Sequence, residues 1–227
     1  MLQSPCYVIS DVHLGHAPDH VERSLIAFLR SLPSRAGSLL INGDLFEFWF
    51  EWKSVVPRSG VRVLAALMDL HDAGVPMTMI AGNHDCWGGD VLRDAGVNFT
   101  FGPLRGPLGG WNAQVEHGDG LRDVEDRGYR MLRRVLRNRL AIRAYGLLHP
   151  DLASRLAVGT SQTSRSYQPK DQGRGLHAVA ARVLAADPSL ELLVYAHSHV
   201  AALERMPSGN VYANAGSWLD EIGRAHV

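Results

Sequence analysis

The sequence predicts a layered α/β domain built on mixed sheets, and three observations predict it. Seven short apolar runs have strand length, helical patterns separate the first three, and the last three follow one another closely enough to pair. In order, CYVIS (6–10) reads as a strand and VERSLIAFLRSL (21–32) as a helix. SLLIN (38–42) reads as a strand, and VRVLAALMDLHDAG (61–74) as a helix closed by Gly74. PMTMIA (76–81) and NAQVEH (112–117) continue the strands, and ELLVYAH (191–197), AALERM (201–206) and NVYANA (210–215) complete them. From about 120 to 177 the pattern changes. The Arg-rich RMLRRVLRNRLAIRAYGLLHP leads into the polar GTSQTSRSYQPKDQGRG and then into helical LHAVAARVLAA. Such a stretch fits poorly inside a sheet, so a helical insertion capping one edge of a single domain, 1–227, is expected.

Composition limits what this domain can do. With 227 residues, 46% of them hydrophobic and 20% charged, the chain can bury one sizeable core. Its 23 basic residues balance its 23 acidic ones, which leaves no global positive field to gather nucleic acid. Two cysteines, Cys6 and Cys86, make no disulfide framework, and MLQSPCYVIS lacks the pattern of a secretory signal. A reducing cytoplasm is the expected location, and any membrane contact would be peripheral, at its inner face.

Chemistry gathers where the apolar runs end. The first leads into SDVHLGH with Asp11 and His13, the second into NGDLFEFW with Asp44, and the third into AGNHD with Asn83, His84 and Asp85. Two later runs end on EHGDG, with His117, and on AHSH, with His197 and His199. Ligand sites of layered α/β proteins form beyond the carboxyl ends of strands, so these groups can converge. In an extended DxH or HxH, alternate residues face the same side, so each pair is expected to aim two ligands into one cavity.

Taken singly, a DxH or GD is an ordinary strand-end turn or helix cap, GNHD an Asx-turn, and HxH a pair of surface imidazoles. Together, each after an apolar run, they point to metal. Imidazole with carboxylate suits Mn, Fe, Zn or Ni, whereas calcium favours an all-oxygen cage. Seven candidate ligands exceed what one open metal site needs and suit two metals sharing a carboxylate, for which Asp44, alone on its strand end, is the natural bridge.

The blocks SDVHLG, NGDLFEFW, AGNHD, EHGD and AHSH resemble those of the calcineurin-like metallophosphoesterases, from Asp11 to His199. The resemblance implies a four-layer αββα sandwich with two divalent metals, Mn foremost. It assigns Asp11, His13, Asp44 and His199 to one metal and Asp44, Asn83, His117 and His197 to the other. His84 would act on the phosphate as hydrogen-bond donor or general acid, with Asp85 orienting and polarising its ring, while water activated between the metals attacks phosphorus in line. Ala196 stands where the family's GHxH block has glycine, which changes no ligand.

Within that superfamily the chain is most similar to the bacterial UDP-2,3-diacylglucosamine diphosphatases, through its compact length, GDLFEFW, the HGDG block with an Arg-rich helical insertion, and YANAGSWLD. This implies a small-molecule or lipid-linked phosphoester substrate. The insertion would form a lid over an acyl groove, with Tyr129, Arg165 and Lys170 as substrate contacts and Leu132, Leu136, Leu140, Ile142, Leu147 and Leu148 supplying apolar surface. Many members of that family carry Arg where this chain has His84. The alternatives are another substrate on the same metals (a phosphoprotein, a cyclic nucleotide or a generic phosphodiester) or a non-catalytic metal-binding scaffold. Trp49, Trp52 and Trp87 are expected to pack beneath the loops.

Overall fold

A computed structural model describes residues 2–166 and 171–219, apart from some side chains in residues 158–166. It contains two sheets and seven α-helices among those residues. The first sheet runs β1 (Cys6–Ile9), β2 (Ser38–Asn42), β3 (Met77–Ile80), β4 (Val97–Thr100), all parallel. The second is mixed, in the order β5 (Leu104–Leu108), β6 (Trp111–Val115), β7 (Leu192–Tyr195), β9 (Val211–Asn214), β8 (Ala202–Arg205). Mixed pairing was expected of both sheets. The first is parallel throughout because a helical crossover joins each strand to the next: α1 (Asp19–Ser31), α2 (Val61–Asp72) and α3 (Asp90–Asp94).

Side-chain alternation along the strands sorts the core into three apolar interfaces. Leu25 and Leu29 of α1 and Leu64, Leu67 and Leu70 of α2 pack on Ile9, Leu39, Ile41, Met77 and Met79. The opposite faces of the same strands, Cys6, Val8, Leu40 and Ile80, meet Val115, Leu192, Val194 and Ala213 of the second sheet. Behind that sheet, Leu193, Tyr195 and Tyr212 carry Leu176, Val179 and Leu184 of α7 (Arg174–Ala186). Helix, sheet, sheet and helix give the four-layer αββα sandwich. Because β2 and β7 lie between a helix layer and the opposite sheet, every residue of both is buried, and they read as unbroken apolar runs.

The sequence reading missed β4, β5 and α3. Both strands lie at sheet edges, and β5, LRGPL, contains a glycine and a proline that signal a turn but are tolerated where no neighbour needs the proline N–H. The Arg-rich region folds into α4 (Arg127–Leu136), α5 (Arg139–Tyr145) and α6 (Pro150–Ser166). Asn138 caps α5, its side chain accepting from the N–H groups of Leu140 and Ala141. Proline at its first position and Asp151 in its first turn start α6, which then extends into the run expected to be a polar connection. The expected boundary at 177 falls inside α7, which packs on β7. No helix among the described residues is long and apolar enough to cross a membrane.

Candidate metal centre

The parallel order of β1, β2 and β3 places their carboxyl ends side by side, and β6 and β7, also parallel, end at the same edge of the facing sheet. The five loops leaving those ends hold the candidate ligands. Asp44 Oδ2 lies 3.2 Å from His117 Nε2 and 3.9 Å from His13 Nε2, while His199 Nε2 is 3.4 Å from Asp11 Oδ1 and 3.2 Å from His13 Nε2. Asn83 Oδ1 is 3.3 Å from His117 Nε2. Two donor groups with metal-binding spacing result: Asp11, His13 and His199, and Asp44, His117 and His197. A third, His13, Asp44 and His84, links them.

Extended alternation does not bring these pairs together, contrary to expectation. Asp11, His13, Asp44, His197 and His199 all hold φ between +51° and +63°, a left-handed conformation that non-glycine residues seldom adopt. Five such residues in one cluster mark a site where surrounding contacts override local preference. Asn214 is one source of those contacts: its side-chain NH₂ donates to Ala196 O (3.0 Å) and Ser198 Oγ (3.1 Å) in the AHSH turn. The glycines of these turns serve two different needs. Gly82 is needed for space, since a Cβ there would overlap the Asp44 carboxylate; the left-handed glycine is Gly43, packed against the His117 ring.

The imidazoles are held from behind. His13 Nδ1 lies 3.1 Å from Glu47 Oε2, and His117 Nδ1 lies 2.8 Å from Asn42 O. A carbonyl oxygen only accepts, and so does an ionised carboxylate, so both Nδ1 atoms carry hydrogen and both Nε2 atoms are the ones turned to the cluster, the placement ligand histidines require. The donor set fits metal on two further counts. Asp11 Oδ1 is buried without a hydrogen-bond partner, and the Nε2 atoms of His13 and His199, 3.2 Å apart, need a proton or cation between them. Divalent first-row ions match this N/O set.

Electrostatics make loading pH-dependent. Burial opposes charge on both Asp44 and His117, yet each is the other's counter-charge. The carboxyl is held well below its usual range and the imidazole well above. Burial, followed by the His117 charge, pushes His197 down to about 4. Metal entering the metal-free protein at neutral pH must therefore displace the His117 proton. Apparent affinity is expected to fall by about tenfold per pH unit below the raised His117 value, with a proton released on binding. Calorimetry of Mn²⁺ binding in buffers of differing ionisation heat measures that release, and a heat independent of buffer would contradict it.

Asp85 does not do what the sequence suggested. Its carboxylate accepts from the backbone N–H groups of Gly82 (3.0 Å), Asp44 (3.2 Å) and Phe46 (3.2 Å), which ties the second and third loops together. Burial, with the Asp44 charge, pushes it up to about 7 against those donors. The residue beside the His84 ring is Glu47, whose carbonyl oxygen is 3.1 Å and carboxylate 3.6 Å from Nδ1. The chain between Asp44 and Glu47 turns so that Glu47, three residues on, backs both His13 and His84. Only its place in the GDLFEFW block hinted at this.

Above Asn83, His84 and Glu47 lies a cavity of about 680 Å³ walled by Leu132, Leu136, Ile142, Leu148 and Leu156 of the Arg-rich helices and the loop after α5. Tyr129 lines it and donates its hydroxyl to the buried Asp119 carboxylate at 2.6 Å. Trp87, expected to be packing alone, also lines it, and its Nε1 donates to Leu136 O at 2.7 Å. Phe48, Phe50 and Tyr145 surround Trp87, Trp52 stacks on Tyr145, and the group binds the helices to the sandwich. Trp49 is fully buried, while Leu140 and Leu147, expected in the groove, point outward. Arg165 lies in α6 with its side chain outside the described residues, as is all of Lys170.

The family model described as calcineurin-like phosphoesterase matches residues 4–201 of this chain. The chain belongs to the calcineurin-like phosphoesterase family. As a phosphoesterase of that family it is a hydrolase, and the strand-end cluster is the place for its metal. A Porphyromonas gingivalis protein named UDP-2,3-diacylglucosamine hydrolase is 36% identical over 179 residues, 77% of this chain and 68% of that one. A Stenotrophomonas maltophilia protein of the same name is 30% identical over 228 residues, 94% of this chain and 90% of its own. Among solved structures, a phosphoesterase from E. coli is similar at TM-score 0.41 and 18% identity, with 94% of this chain and 79% of that one covered.

Proposed function

We propose that this phosphoesterase hydrolyses the diphosphate of UDP-2,3-diacylglucosamine to UMP and the diacylated sugar phosphate, using two divalent metals, manganese foremost. The observation that carries the reading is the apolar cavity of about 680 Å³ set directly on Asn83 and His84. A cyclic nucleotide or phosphopeptide offers nothing to fill such a wall, whereas acyl chains do. The names of the relatives support the same substrate.

In this reading Asp11, His13, Asp44 and His199 hold one metal, and Asp44, Asn83, His117 and His197 the other. Divalent ions there supply Lewis acidity at the phosphoryl oxygens and a water of lowered pKa. His13 and His117 present Nε2 because Glu47 and Asn42 occupy their Nδ1 atoms. His84, its Nδ1 turned to Glu47, reaches substrate through Nε2. Its Nε2–H would donate to the bridging oxygen as the water oxygen bonds to phosphorus and the P–O bond opposite breaks, so the leaving phosphate departs with that proton. The helices of residues 120–177 form an insertion over the acyl chains of a single domain, 1–227, with Tyr129, Arg165 and Lys170 as substrate contacts. A lipid-linked substrate also brings the enzyme to the cytoplasmic membrane face.

Hydrolysis of the acylated nucleotide by the Mn-loaded enzyme, beside a non-acylated UDP-sugar, bis(p-nitrophenyl) phosphate and a phosphopeptide, tests this. The expected kcat/KM for the acylated compound exceeds that for its non-acylated counterpart by at least about 10²-fold, since remote binding energy is realised at the reacting centre. Equal rates on the two UDP-sugars would remove the lipid assignment and leave the metal chemistry in place.

A further inference from the structure

The two metal groups differ in the negative charge available to them. The first has Asp11 of its own, a share of Asp44, and Glu47 behind His13. The second has only its share of Asp44, since Asn83, His117 and His197 are neutral donors. A buried divalent ion there is short of counter-charge. Four carboxylates outside the ligand set are buried among the described residues: Glu47, Asp85, Asp119 and Asp126. Three are engaged elsewhere. Glu47 backs His13, Asp85 gathers three backbone N–H groups, and Asp126 accepts from Arg122 Nε (3.1 Å) and Nη2 (2.7 Å). Asp119 remains.

Asp119 stands two residues beyond His117, in a turn flanked by Gly118 (φ +112°) and Gly120 (φ +77°). One side of the turn lies against the AHSH loop: a Cβ on Gly118 would come within 3.5 Å of Ala196 O and His197 Cβ. The other side meets Tyr129, Arg130 and Arg133 of α4. The carboxylate is 5% exposed and near enough to His117 and His197 for its charge to favour a cation at either ring. What holds it cancels little of that charge. Tyr129 donates a neutral O–H at 2.6 Å, while Arg133 Nη1 is 3.4 Å from the carboxylate and gives its shorter hydrogen bond, 2.9 Å, to the Asp119 carbonyl. A buried anion so incompletely paired is destabilising, and an ion in the second metal group would complete its pairing.

We propose that Asp119 is a positioning residue for the second metal, one that binds no ion itself but whose charge holds a divalent ion at Asp44, Asn83, His117 and His197. It does on that side what Glu47 does on the other, and Arg133 trims its effect. Tyr129 seats α4 on the same carboxylate, so one group serves both the cavity wall and the metal. This goes beyond the two-metal reading of the cluster and rests on it.

Mn²⁺ binding to the full chain, followed through free Mn²⁺ by electron paramagnetic resonance, tests this with variants that separate charge from contact. D119N removes the charge and keeps an oxygen to accept from Tyr129, so it should weaken one of the two ions by about 10- to 100-fold and spare the other. H199A should weaken that other ion, which tells the two apart. Y129F removes the contact and keeps the charge, so both affinities should match the parent. R133M takes away a cation and should tighten the ion that D119N loosens, by about two- to fivefold, a sign that lost packing does not produce. Y129F and R133M carry the test even where D119N folds poorly. Equal losses at both ions in D119N, a loss in Y129F as large as in D119N, or a loss in R133M would each overturn the proposal. Two ions held with parent affinity in D119N would remove this inference alone, whereas a single ion per chain in the parent would overturn the two-metal reading and this inference together.

Discussion

Asp44→Ala is expected to cost at least about 10³-fold in hydrolysis of any phosphodiester and to empty both metal positions, an effect no other single ligand should match. The reason is its place between the two donor groups. Oδ2 is 3.2 Å from His117 Nε2 and 3.9 Å from His13 Nε2, so one carboxylate serves both. Its other oxygen accepts the backbone N–H of His84 at 2.9 Å, which fixes the turn carrying Asn83 and His84. Truncation therefore removes a shared ligand, loosens a second one and leaves the buried His117 without its counter-charge. His199→Ala, by contrast, touches one group and should leave metal in the other. Metal analysis after dialysis separates the cases: a D44A protein that retains two ions per chain would show that Asp44 is not shared.

The contrast between Asp44 and Glu47 shows how far this site is legible in the sequence. Asp44 lies two residues past a five-residue buried run whose register with β1 and β3 is fixed by burial on both faces, so the end of that strand, and hence the short turn that carries Asp44, could be placed from periodicity. The same logic located Asp11, Asn83, His117 and His197. Glu47 follows the strand by five residues, where the chain is irregular and no period applies. Its role depends on a turn whose left-handed residue, Asp44 at φ +53°, is not one that residue type would foretell. For the same reason DxH and HxH were matched to the right cavity by the wrong geometry. Among the larger elements, β5 escaped because an edge strand tolerates the glycine and proline that signal a break. The Arg-rich helices were found, yet helical period alone could not say which leucines face inward: Leu136 and Ile142 do, Leu140 and Leu147 do not.

His84→Ala is expected to lower kcat by about 10² to 10⁴ with metal content unchanged, the range for losing a positioned proton donor. Two companion substitutions show whether Glu47 or Asp85 orients it. Glu47→Gln keeps an oxygen acceptor for His13 Nδ1–H but no carboxylate beside His84, so kcat should fall while metal is retained. Glu47→Ala also frees the His13 ring and should weaken metal binding by about 10- to 100-fold. Asp85→Asn acts elsewhere. Three backbone N–H groups converge on that carboxylate, and an amide must turn its own NH₂ toward at least one of them, so about 1 to 3 kcal/mol of stability should be lost. Thermal unfolding would register that loss, and whatever folds should retain the parent kcat. A D85N protein of unchanged stability whose kcat falls as far as that of H84A would return the orienting role to Asp85. If E47Q is as active as the parent, the Glu47 carboxylate has no part in proton transfer, and its backbone oxygen alone holds the ring.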